Sequence, residues 1–273
     1  MEKQFFIDPK YDSYQSFFDH TWAQGIDQLA AGTPLELVVF DLCAAWKSAA
    51  NTHRLPWLMF QLFQSFARKF LEARESIGSL YLGALNERLT TEMSGLRHMQ
   101  RRQLGEALQR IYEEVRNKPD KVVGEFVLEK LWDRIVPEFE FSASLWASQR
   151  LCFGAIYYAY EDFLVRTYRV IAVDPDYRIR NAKQFGDDFA KAFTNGLRDY
   201  CFAGDVNVAR MVRNSIAHNG GRETEELRKE KHPYRVESGE IQIVPSNTTS
   251  LFELLKERAT KVVAEVVSRL PKP

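Results

Sequence analysis

The chain has 273 residues, 45% of them hydrophobic and 27% charged, the profile of a globular protein with room for one large domain or two small ones. Thirty-seven basic residues balance thirty-seven acidic ones, so the molecule as a whole offers no bulk attraction to a polyanion. Any nucleic-acid contact must then come from a local patch.

Helical periodicity dominates the reading along the chain. Phe18, Trp22, Ile26 and Leu29 share one face of a first helix. Leu35, Val38, Val39, Leu42, Trp46 and Ala49 mark a second, starting after Pro34. A third is predicted to open at Pro56, carrying Met59, Leu62, Phe63, Phe66 and Phe70 and continuing past Gly78 to about Leu89. Leu104, Leu108, Ile111 and Val115 mark a fourth. After the break at residues 117–120, Val123, Val127, Leu131 and Ile135 mark a fifth. The irregular stretch 136–144 reads as a boundary between a helical N-terminal region, 1–140, and a second region, 141–273.

Beyond the boundary a long helix is expected over Ala143–Ile171, with Leu145, Cys152, Phe153, Ile156, Tyr160, Phe163, Leu164 and Thr167 on one side. Asp174–Tyr177 breaks it, and a single helix is expected over Ala182–Phe202. Gly204 and Asp205 open a short helix that ends at Asn219–Gly221, where glycine suits the left-handed position after a helix. Residues 234–244 alternate about Ser238–Gly239 and predict a small β-hairpin. Leu251, Leu254, Leu255, Val262, Val263, Val266 and Val267 mark a closing helix. The fold class expected is all-α, with one hairpin.

Cys43, Cys152 and Cys201 are far apart in the chain and lack metal-ligand spacing, which argues against a disulfide framework or a structural zinc site. No apolar leader opens the chain, and no apolar run nears the ~18 residues that span a bilayer. A reduced, cytoplasmic location without membrane contact is the expectation. Gly-rich phosphate loops and Gly-x-Ser-x-Gly turns are absent from the sequence, and neither a cofactor nor a metal is expected.

The chemistry concentrates in residues 212–222. Of the three Arg-Asn pairs, at 116–117, 180–181 and 213–214, only the last has a histidine four residues beyond its asparagine. On a helix Asn214 and His218 share a face, whereas Arg213 and His218 diverge by about 140°. Arg213-Asn214-x-x-x-His218 resembles the arginine–polar–x-x-x–histidine motif of HEPN (higher eukaryotes and prokaryotes nucleotide-binding) domains, and the resemblance covers roughly residues 141–273. It implies a compact HEPN-like helical bundle, a homodimer, and RNA as substrate, cut without a metal.

In that reading Arg213, Asn214 and His218 are the catalytic residues. The nucleophile is the RNA 2′-hydroxyl. Two copies of His218, one from each protomer, supply the base and the acid; Arg213 faces the phosphorane oxygens, and Asn214 orients the histidine or binds the phosphate. Arg210, Arg222 and Glu161 are expected to contact substrate, the two arginines within a basic stretch that runs from 210 to 235. Glu161 either orients Arg213 across the bundle or caps a solvent face beside Asp162. The alternatives are a catalytically inactive HEPN-like scaffold or interaction protein, and one half of a toxin–antitoxin pair with a cognate antitoxin. Some members of such pairs carry a tyrosine two residues after the histidine, where this chain has Gly220.

Overall fold

The computed structural model describes residues 8, 10–62, 102, 105, 106, 110 and 128–270. Among these, the chain forms a 3-10 turn at Tyr11–Tyr14 and the helices α1 (His20–Ala30), α2 (36–62), α3 (Leu128–Ile135), α4 (Phe139–Ala172), α5 (Ala182–Ala192), α6 (Asn195–Phe202), α7 (Asp205–His218), α8 (Glu225–Lys229) and α9 (Pro245–Arg269). A single antiparallel hairpin pairs β1 (Arg235–Glu237) with β2 (Glu240–Gln242). The protein is all-α with one small hairpin. No helix among the described residues is long and apolar enough to cross a membrane, and all three cysteines are free thiols.

The chain divides into two compact units, one of Met1–Trp57 with Val136–Pro273, the other of Leu58–Ile135. This differs from the division at residue 140 expected from sequence. The apolar faces of α1 and of the first turns of α2 are buried in the same core as the C-terminal helices. Trp46 Nε1 donates to the Ile156 carbonyl at 3.0 Å, and Trp22 Nε1 donates to Thr260 Oγ1 at 2.8 Å. The rings of Trp22, Trp46 and Phe252 meet at centroid distances of 5.3–6.1 Å. In the smaller unit Phe60 and Trp132, both buried, pack edge to face at 5.2 Å.

The long helix α4 is the axis of the larger unit and lies against α7 and α9. All eight of its residues assigned to the apolar side are buried. On α9, Leu251, Leu255, Val262, Val263 and Val266 are buried too, with Phe252 and Ala259 filling the same face.

Two helix assignments differ from the periodicity. First, α2 runs without interruption through Pro56. Its preceding turns are fixed by burial of Val39, Leu42, Trp46, Ala49 and Ala50, which outweighs the loss of one backbone donor. Second, Ala182–Phe202 is two helices. Thr194 takes an extended conformation and its side chain accepts from the Leu197 N–H at 3.1 Å, which restarts the helix as α6. The one-turn helix α8 was not expected; Thr224 caps it and Leu227 anchors it in the core. Leu104, Leu108, Ile111 and Val115 of the predicted fourth helix, the part of the third beyond residue 62 and Val123 and Val127 of the fifth lie outside the described residues, while residues 102, 105, 106 and 110 are helical.

Candidate functional site

Helix α7 exists because Val206, Val208, Ala209, Val212 and Ser215 form a buried face. Its remaining positions carry the polar groups. Arg210, Arg213 and Asn214 are half-buried, and His218 is exposed on the last turn. The helix stays regular to His218, so Asn214 and His218 share a face as expected.

The end of α7 is built by two glycines. Gly220 has φ +62° and Gly221 φ +82°, a region glycine enters without steric cost. The Asn219 and Gly221 N–H groups both donate to the Ser215 carbonyl, at 2.9 and 2.8 Å. The Ser215 hydroxyl in turn donates to the Arg222 carbonyl. The Gly221 carbonyl accepts from the Ile241 N–H at 2.9 Å and the Gly239 carbonyl from the Glu223 N–H at 2.9 Å, which ties this end to the hairpin. Arg150 on α4 lies directly behind Gly221, where its guanidinium stacks 4.2 Å from the Trp146 ring. A Cβ at Gly221 would fall on that guanidinium.

Arg213 turns away from the His218 face toward α4. Its Nη2 pairs with Glu161, its Nη1 donates to Asn214 Oδ1 at 2.8 Å, and its guanidinium carbon lies 5.8 Å from the Tyr157 ring centroid. Its Nε is buried without an acceptor. Glu161 on α4 thus meets Arg213 on α7 rather than solvent alone. Asp162 is exposed and faces Arg166 at 3.7 Å. Burial raises the Glu161 carboxyl above its ordinary value, opposed by Arg213 and Arg210. Tyr157 is raised chiefly by burial as well.

With its oxygen held by Arg213, the Asn214 amide has its NH2 end left to meet an anion. The His218 side chain is exposed and makes no hydrogen bond or ion pair with any described residue. Arg210 donates through Nε and Nη2 to Asn207 Oδ1, at 3.2 and 2.8 Å. Arg222 is exposed, with its backbone pinned to the hairpin.

The basic stretch carries less unpaired charge than its composition suggests. Arg228 pairs with Glu223 at 3.0 Å, and Arg235 with Glu237 at 3.4 Å. Tyr157 and Tyr160 belong to the core, while Tyr158 is exposed. Among the described residues no three His, Cys, Asp or Glu side chains gather in a way that could hold a metal ion. Sequence reasoning missed Asn207, although its place three residues before Arg210 is a helical-neighbour signal. It also missed Arg150, for which periodicity gives no signal.

No protein-family model, curated protein or solved structure matches the chain.

Proposed function

We propose that this protein is a HEPN-type, metal-independent endoribonuclease acting as a homodimer. The observation that carries the reading is the end of α7. An accessible imidazole, His218, sits one turn beyond an asparagine whose oxygen is fixed by Arg213, and Arg213 is itself held by Glu161. A single imidazole cannot be proton-free and proton-loaded at once, but a two-fold axis beside His218 supplies two. One takes the 2′-hydroxyl proton as O2′ bonds to phosphorus. The other protonates the 5′ oxygen as its bond to phosphorus breaks, leaving a 2′,3′-cyclic phosphate and a 5′-hydroxyl. The Asn214 amide donates to the charged phosphorane.

The test is cleavage of a single-stranded RNA in chelator, with end-group mapping, by wild type and His218→Ala. Cyclic phosphate ends that vanish in His218→Ala while the dimer persists are expected. Ends bearing a 3′-hydroxyl, or an unchanged rate in the variant, would refute the mechanism. One observation favours a second reading, an inactive scaffold: the bonded donors of Arg213 face Glu161 and Asn214, so the motif also works as a brace between α7 and α4. Wild-type protein that neither cuts nor binds RNA, yet loses thermal stability on Arg213→Ala, would establish the brace.

A further inference from the structure

The two arginines of α7 differ in what already holds them. Positions 210, 214 and 218 recur every four residues and form one stripe along the helix, about 12 Å from first to last. Position 213 lies about 100° round from 214 and faces α4 instead. The stripe therefore presents Arg210, the Asn214 amide and His218 in line.

Charge is distributed unevenly between the stripe and the brace. Glu161 lies within the field of both arginines, but among the described residues its carboxylate pairs with Arg213 and no other cation. Arg210 makes no ion pair with any described residue; its hydrogen bonds go to the neutral Asn207 side chain, through Nε and Nη2, and its Nη1 is unbonded. Two guanidinium groups thus share one carboxylate, and the positive charge left over lies on Arg210. The side chain is also held in place before any ligand arrives, because both bonds to Asn207 converge on one oxygen. A pre-set guanidinium that forms no ion pair with any described residue fits a phosphate.

We infer that Arg210 is a substrate-binding residue that takes the phosphate flanking the one cut, while Arg213 is a positioning residue that fixes Asn214. The inference rests on the nuclease reading. Two helical turns separate Arg210 from His218, too far for both to serve the same phosphorus, so Arg210 acts on binding more than on the chemical step.

The experiment measures two things on wild type, Arg210→Gln, Arg210→Lys and His218→Ala. One is kcat and KM on a cleavable single-stranded RNA. The other is Kd against salt on the same sequence with 2′-O-methyl groups, which cannot be cut. Arg210→Gln should raise Kd and KM roughly tenfold and make the slope of log K against log salt shallower by about 0.7, with kcat within about twofold. Arg210→Lys should recover the slope. An Arg210→Gln protein with unchanged Kd and slope overturns the assignment. So does one whose kcat collapses at unchanged KM, which would place Arg210 at the reacting phosphate. If wild type cuts RNA through His218 and Arg210→Gln behaves like it, the nuclease reading stands and only this assignment falls. If wild type neither binds nor cuts RNA, the nuclease reading fails first and Arg210 with it.

Discussion

Replacing Gly220 and Gly221 by alanine, one at a time, separates backbone strain from steric conflict at the end of the motif helix. Both have positive φ, +62° and +82°, so each alanine costs about 1 kcal/mol for entering the left-handed region. Nothing lies within 4 Å of a Cβ at Gly220, whereas a Cβ at Gly221 meets the Arg150 guanidinium. Arg150 is only 7% exposed and stacked on Trp146. Displacing it forfeits about 1 kcal/mol of cation–π contact and forces a charged group to repack. Gly221→Ala should therefore cost about 2–3 kcal/mol in total. Thermal unfolding followed by circular dichroism should show Tm falling by about 3 °C for Gly220→Ala and about 6–8 °C for Gly221→Ala. The double variant Arg150→Ala/Gly221→Ala should cost less than the two singles added, because the obstructing group is gone. Equal losses at 220 and 221, or additivity within about 0.5 kcal/mol, would refute the packing argument.

Three more outcomes test the core and its titration. Burial lowers the proton affinity of His53 and outweighs the Ser13 backbone and Gln149 side chain, which favour the charged ring. The unfolded chain therefore binds that proton more tightly. The stability from a neutral His53 is complete above about pH 6.5 and is lost as pH falls below it. Urea midpoints at pH 7.5 and 5.5 should drop more for wild type than for His53→Gln; equal drops would assign the acid sensitivity to another group. Phe252 is fully buried among Phe17, Trp22 and Trp46, so Phe252→Ala should cost about 3–5 kcal/mol in the same urea assay, and a loss under about 1 kcal/mol would contradict that packing. Thr194→Ala removes the acceptor for the Leu197 N–H and should cost about 1 kcal/mol; an unchanged midpoint would show that α6 does not depend on its cap.

What the sequence determined by itself is local. A face repeating every three to four residues identified the buried side of α4 and α9, because helix geometry fixes which side chains share a face whatever they later meet. Ser238 and Gly239, with φ +51° and +78°, turn the hairpin where alternation and turn chemistry placed it. The glycines after His218 ended α7 for the same reason. Thr194 and Pro56 show the limit, since a cap inside an apolar pattern and a proline inside a well-packed helix are settled by competition that periodicity does not register.

The tertiary structure alone decided partnerships. Glu161 and Arg213 are 52 positions apart, and nothing in either segment states that α4 and α7 cross so that those two side chains meet. The contacts of Trp46 with Ile156 and of Arg150 with the space behind Gly221 are of the same kind. An apolar face requires burial but does not name the helix that covers it, and the choice among covers depends on shape and on how every other face is satisfied at once. That choice joined α1 and α2 to the C-terminal helices, committed Arg213 to Glu161 and Asn214, and left Arg210 on the His218 stripe without an ion pair to any described residue.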